Sequence, residues 1–580
     1  VTGEWDVADD GFERAADAAD VVVWGSSREG SSYERTGLGW AELEAASAGL
    51  ARHLVREGAL EGDVVVVSGA TRLETLLVLF AAWQCGLSVS LVPAADRRPD
   101  EVIAGDIDRR VGQLGARIVY AESSVWEHLR PHPGLACIAL DERTVTAPSL
   151  PDPPHAGRSD DVERPFECLR TGLSGDLVAL HQATSGTTGD QRIVPVTWRM
   201  LRLNVAAMAE RLELDRRDSF VSWMPLYHDM GLITYVVTPA LLGARMAVLP
   251  AEAFALSPTV LAEEIERRRG TMSGSPTSGV ALFVRALERY GPFDLSSLRR
   301  LVCGAEMIDL ELCERAIAAG QRHGLRADAF SYAYGMAEAT LAVSVHPFAS
   351  PMEVEDPVDD SGANPFPSTW LRATGRGFAR TGPPVDGTAV RVVDVSSRQP
   401  CGDRELGEIE IRGPSVMTAY VGLTPAESGV GDDGWFRTGD LGYLSEGEVV
   451  VAGRIKDVVA VGGRNIVPDD VERIVGSLDG IRRGRVAAVP MLGRAGEALA
   501  VVAERTDEAD VDERAVRVAV RRELGITPEI VRLVPKGTLP KTTSGKLRRV
   551  ACRDLVAGDA GDAGDPAPST TGRGAPTRVI

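Results

Sequence analysis

The sequence predicts a layered α/β protein, with a large N-terminal domain of α/β subdomains and a small C-terminal α/β domain. Three observations predict it. The chain has 580 residues, more than one hydrophobic core usually serves. Short β-branched runs alternate with amphipathic stretches over most of its length, the pattern of strands and helices in layers. After Gly453 the same alternation resumes on a smaller scale. In order, VVVVS (64–68), a helical TRLETLLVLFAAWQ and LSVSLV (87–92) form a β-α-β unit. RMAVLP (245–250), the helical PTVLAEEIERRRG, TMSGS, a helix to about Tyr290 and LRRLVCG (298–304) repeat the alternation. Residues 143–172 and 346–370, rich in proline and charge, read as loops, and 557–580, nearly without large apolar residues, as a disordered tail. The smaller domain is expected to hold a helix at 469–478, strands near 485–490 and 498–503, a helix at 511–524 and a strand in EIVRLV. The expected organisation is therefore 1–453, a junction at 454–457, a small domain over 458–556 and a tail.

Composition excludes several classes of function. Lys+Arg of 63 against Asp+Glu of 83 gives a net charge of −20, spread along the chain. Nucleic acids and anionic membranes both need clustered positive charge, so neither is expected as a partner. The seven cysteines are scattered without CxxC or Cys/His spacing, which suits a reduced, cytoplasmic protein without disulfides or structural zinc. The start, VTGEWDVADDGFE, is acidic where a secretory signal is basic and then apolar. The longest apolar stretch, Leu76 to Ala95, is broken by Gln84, Gly86 and Pro93. It reads as a buried helix, a Gly86 stop and a buried strand, with no membrane span.

The strongest local signal is Thr184-Ser185-Gly186-Thr187-Thr188-Gly189-Asp190-Gln191-Arg192, after the apolar LVALHQA. Glycines let backbone N–H groups approach phosphate oxygens, and the hydroxyls add donors without bulk. The Lys-Ser/Thr ending of a Walker loop is absent. The segment is similar to the TSGTTGxPK loop of the adenylate-forming superfamily, which includes acyl-CoA synthetases, peptide-synthetase adenylation domains and fatty acyl-AMP ligases. It departs from that loop at Gln191, for the usual Pro, and at Arg192, for the usual Lys. Further stretches resemble the family's elements in order. They are Gly304-Ala305-Glu306, Tyr334-Gly335-Met336-Ala337-Glu338, the Trp435–Asp440 run ending Thr438-Gly439-Asp440, Gly453-Arg454-Ile455-Lys456-Asp457, and Pro540-Lys541-Thr542-Thr543-Ser544-Gly545-Lys546. SWMPLYHDMGL (222–232) and GRNIVPDDVE (463–472) resemble the fatty acyl-AMP ligase branch.

The resemblance implies the adenylate-forming fold, with a mobile C-terminal domain, and activation of a carboxylic acid, expected to be a fatty acid, by ATP and Mg²⁺. Thr184–Gly189 and Arg192 would surround the phosphates, and Thr188 and Glu338 would meet the magnesium. Gly304, Ala305, Glu306, Tyr334, Gly335 and Met336 would hold adenine; Asp440 and Arg454 would hold ribose. Lys546 would bridge carboxylate and α-phosphate, His228 would stand at the acyl pocket, and Lys456 would be the pivot of the small domain. A cation such as Lys546 suits an attack in which negative charge gathers at phosphorus. The acyl group would pass to the phosphopantetheine thiol of a separate acyl carrier protein. Transfer to CoA is the alternative. An amino acid substrate would want an acid in the pocket, and SGSPTSGVALF (273–283) offers none. A nucleotide-binding scaffold without turnover is a further alternative, favoured by Gln191 and Arg192 and opposed by the intact Glu338, Asp440 and Lys546.

Overall fold

A computed structural model describes residues 20–26, 33–69, 71–93, 99–132, 134–139, 166–184, 191–347, 354–355, 378–455, 459–461, 464–466, 468–493, 496–506, 511–540 and 547–557. The chain divides into two compact units, one reaching residue 458 and one built chiefly from 459–464, 470–540 and residues from 547 on.

Among the described residues the larger unit holds three main sheets and one two-stranded pair. The first has six strands in the order Ala136–Ala139, Ile118–Ala121, Val64–Gly69, Ser88–Pro93, Val178–Ala183, Ile193–Thr197. Its centre is the expected β-α-β unit, with Val64–Gly69 and Ser88–Pro93 parallel in register from Val64↔Ser88 to Gly69↔Pro93. The helix between them, Leu73–Gln84, is buried continuously from Thr75 to Trp83, so an apolar surface all round suits it. Gly86 follows at φ +70°, a conformation that glycine adopts without strain.

The second sheet has eight strands, ordered Ala342–Val345, Phe330–Gly335, Arg300–Cys303, Met272–Ser275, Ser219–Ser222, Arg245–Val248, Val21–Ser26, Tyr33–Leu38. Its six inner strands are parallel, and both edge strands are antiparallel to their neighbours. Helices Thr259–Arg268 and Thr277–Arg289 connect inner strands as the alternation predicts. The third sheet is antiparallel: Ala389–Val393, Gly407–Arg412, Phe436–Ser445, Glu448–Arg454.

The smaller unit joins a long hairpin, Ile481–Gly493 with Gly496–Arg505, to a parallel strand, Ile530–Val534. Helix Glu513–Leu524 starts where the Asp512 carboxylate accepts from Ala515 N at 2.7 Å and stops at Gly525, φ +67°. Glu472 takes a two-point bond from Arg549, 2.8 and 2.9 Å, and a third from Ala488 N at 3.0 Å. Val489, Val502, Leu539 and Cys552 pack in its core.

Two expected loops contain regular structure among the described residues. Residues 168–172 form one wide turn, closed by Leu173 N donating to Cys168 O at 3.0 Å, because Leu169 is buried beneath it. Within the second, Val354–Glu355 pairs antiparallel with Phe378–Ala379. Residues 143–165, most of 346–370, and 558–580 lie outside the described residues. No helix among the described residues is long and apolar enough to cross a membrane. The described cysteines are free, and the described residues hold no cluster of three or more His, Cys, Asp or Glu placed for a metal ion.

Candidate active site

The parallel strands of both large sheets deliver their C-terminal ends to one cavity of about 870 Å³ in the larger unit. Thr184 follows strand Val178–Ala183, His228 lies beyond Ser219–Ser222, Gly304 follows Arg300–Cys303, and Tyr334 ends Phe330–Gly335. Such strand ends are where open α/β sheets collect ligands. Thr184, Arg192, His228, Gly304, Ala305, Tyr334, Gly335, Met336, Glu338 and Arg454 all line the cavity. Ser185, Gly186, Thr187, Thr188, Gly189, Lys456 and Lys546 lie outside the described residues.

Two of the named glycines permit close approach. A Cβ on Gly335 would lie 2.1 Å from Leu341 O, and one on Gly304 would lie 2.7 Å from Ala333 O. Neither position accepts a side chain without moving backbone.

Asp440 and Arg454 face each other across adjacent strands, and Arg454 Nε lies 2.9 Å from Asp440 Oδ1. The other carboxylate oxygen accepts from the Tyr334 hydroxyl at 2.7 Å. Burial, then the Asp440 charge, pushes the Tyr334 phenol well above its ordinary range, so it stays a donor. Asp440 itself is only 3% exposed and lies behind Tyr334 and Arg454. Its turn is held by Thr438, whose hydroxyl donates to Ile409 O at 2.7 Å and accepts from Asp440 N at 3.0 Å.

Glu338 sits on the short turn Ala337–Ala339 and accepts from the Tyr420 hydroxyl at 2.6 Å. Burial raises its carboxyl above the ordinary value, an effect the Tyr420 bond partly offsets. The turn is fixed from three sides. Met417 N donates to Glu338 O at 2.8 Å. The fully buried Thr340 takes φ +70° and donates its hydroxyl to Ser415 O at 2.7 Å, a strained conformation for a β-branched residue. The buried Asn204 amide accepts from Ala342 N at 3.0 Å and donates to Ala342 O and Ala339 O at 2.9 and 3.3 Å.

Arg192 carries its guanidinium 5.0 Å from the centre of the Tyr420 ring, a cation–π distance. Gln191 accepts from Arg110 Nη2 at 3.2 Å. His228 Nδ1 lies 2.7 Å from Asp229 Oδ1 and accepts from Met230 N at 3.2 Å. Glu306 is turned from the cavity: Ala305, at φ +64°, redirects the chain so that the Glu306 carboxylate caps helix Thr277–Arg289, accepting from Ser278 N at 2.8 Å. Residues 273–283 do not line the cavity, whereas Met272 does, with Met208, Leu212, Val302 and Val345.

Sequence reasoning missed Asn204, Tyr420 and Arg110. None sits in a motif, and their partners lie 138, 82 and 81 residues away.

The family described as AMP-binding enzyme matches residues 13–421. Rv1013 of Mycobacterium tuberculosis, named only as a ligase, is 34% identical over 540 residues, covering 89% of this chain and 94% of its own. The long-chain-fatty-acid–AMP ligase FadD23 of the same species is 29% identical over 567 residues, covering 90% of this chain and 92% of its own. A solved structure from work on fatty acyl-adenylate ligases of E. coli and L. pneumophila aligns with a TM-score of 0.76 at 25% identity, over 93% of this chain and 96% of that one. The chain belongs to the AMP-binding enzyme family of adenylate-forming ligases, near the fatty acyl-AMP ligases.

Proposed function

We propose that the protein joins a fatty acid to AMP at the expense of ATP, releasing pyrophosphate, and then passes the acyl group to the phosphopantetheine thiol of a separate acyl carrier protein. One observation carries this: a single cavity combines the polar set Tyr334, Glu338, Arg192 and Arg454 with an apolar wall of Met208, Leu212, Met272, Val302 and Val345. A nucleotide and an acyl chain need such contiguous polar and apolar walls. The name of the relative FadD23 supports a long-chain acid.

In this scheme Asp440 accepts from the ribose hydroxyls, because an ionised carboxylate takes a diol at two points. Tyr334, with Gly304, Ala305, Gly335 and Met336, packs the adenine. Arg192 and the Thr184–Gly189 segment hold the phosphates. Magnesium suits Glu338, since that ion binds through one or two carboxylates together with substrate phosphates, and Glu338 lines the cavity with its carboxylate steadied by the Tyr420 hydroxyl. Thr188 would be a second ligand. The metal would neutralise phosphate charge as pyrophosphate leaves. Lys546 is assigned to the carboxylate and α-phosphate, and His228 to the entrance of the acyl wall. We assign Lys456 as the pivot of the C-terminal domain.

The test is fatty-acid-dependent exchange of labelled pyrophosphate into ATP. Exchange that requires both the acid and magnesium supports adenylation. ATP hydrolysis to ADP and phosphate, indifferent to any acid, would refute it.

A further inference from the structure

Beside Gln191, which lines the cavity, lies a buried cation with no acid at ion-pair distance among the described residues. Arg110, on helix Asp100–Leu114, is 3% exposed. Its Nη1 donates to Ser90 Oγ at 2.6 Å, and Ser90 Oγ donates to His181 O at 2.8 Å. Its Nη2 donates to Gln191 Oε1 at 3.2 Å, and its Nε has no partner. Among the described residues no carboxylate lies within ion-pair distance of it; Asp106, one helical turn earlier, bonds Arg109 at 2.9 Å and acts on Arg110 through its charge. His181, its buried neighbour, is held neutral by burial and by the Arg110 charge, its pKa lowered to about 4. Burial pulls the guanidinium itself down to about 10, so it remains charged at neutral pH.

A buried guanidinium is costly to desolvate, and its hydrogen bonds decide what it holds. Gln191 lines the cavity at the end of the 184–192 segment, and the Arg110 bond holds its side chain.

We propose that Arg110 is a positioning residue for the triphosphate: it tethers Gln191, and with it the end of the 184–192 segment, and lends positive charge to the phosphate end of the cavity. This rests on the assignment of that segment to phosphate. In a low-dielectric interior, a cation one residue removed still acts across the intervening side chain.

The test is equilibrium binding of ATP and of AMP, by calorimetry, to wild type, Arg110→Met, Gln191→Leu and the double variant. Arg110→Met should weaken ATP about tenfold, the effect of losing a charge-assisted hydrogen bond, and leave AMP nearly unchanged. Because both residues act on the same tether, the double variant should be little weaker than Arg110→Met alone. Equal losses for ATP and AMP, or losses that multiply in the double variant, would overturn the inference. Should Arg110→Met fail to fold, Gln191→Leu breaks the tether from the cavity side and carries the same ATP-against-AMP comparison. A wild type that binds neither nucleotide would instead defeat the assignment of function on which this rests.

Discussion

Asp440→Asn keeps the shape of the side chain and removes its charge. In the free protein the carboxylate accepts from Tyr334, buried on both sides, and from Arg454, whose side chain is 49% exposed. The Arg454 contact, half in water, is worth at most about 1 kcal/mol. The Tyr334 bond, to a buried charged acceptor, is worth about 2 kcal/mol, and an amide oxygen recovers part of it. Asp440→Asn should therefore cost the fold only about 1–2 kcal/mol, readable as a modest fall in Tm. The nucleotide loses more. Two ribose hydroxyls now face an amide with one acceptor, and roughly 3 kcal/mol of charge-assisted bonding, about 100-fold in Kd, should go. The assay compares ATP with 2′,3′-dideoxy-ATP on both proteins by calorimetry. Wild type should discriminate between them by about that factor, and the variant should scarcely discriminate. A variant that binds ATP weakly yet still distinguishes the two nucleotides would refute the ribose assignment.

Tyr420→Phe removes the hydroxyl that favours ionised Glu338. Since burial already raises that carboxyl, and magnesium needs the carboxylate, the acid limb of the rate profile should move to still higher pH; an unmoved limb would uncouple Glu338 from the reaction. Asn204→Ala strands the N–H and carbonyl of Ala342 inside the protein. It should cost about 2–3 kcal/mol in denaturant unfolding and lower kcat more than it raises the KM for ATP. Lys546→Ala should slow single-turnover adenylation by several powers of ten while ATP affinity, read by calorimetry, stays nearly intact.

Much of the fold was legible because its signals are local. The unbroken burial of Thr75–Trp83 and the positive φ of Gly86 follow from an apolar run and a glycine that any reading along the chain meets. The strand Arg300–Cys303 lies within the expected run 298–304, whereas no strand was expected over Phe330–Gly335. The short helix Ala251–Leu256 escaped notice because Pro250 and Ser257 bracket only six residues. Site residues were legible where a motif names them and hidden where only tertiary pairing does. Asn204 is a lone polar residue on a helix until Ala342 is brought against it, and Tyr420 is one more aromatic until its hydroxyl reaches Glu338. Glu306 shows the converse: adjacency to Gly304 and Ala305 suggested the cavity, and one left-handed residue sent it to a helix start.

Most direct is mass spectrometry of the protein with ATP, magnesium and a panel of fatty acids, offering CoA and a phosphopantetheinylated carrier protein as competing acceptors. Acyl-AMP in the absence of acceptor, with thioester then formed on the carrier alone, is the predicted result. Acyl-CoA as the main product would contradict the proposed acceptor while leaving adenylation standing. No adenylate from any acid, with ATP bound, would contradict the central claim.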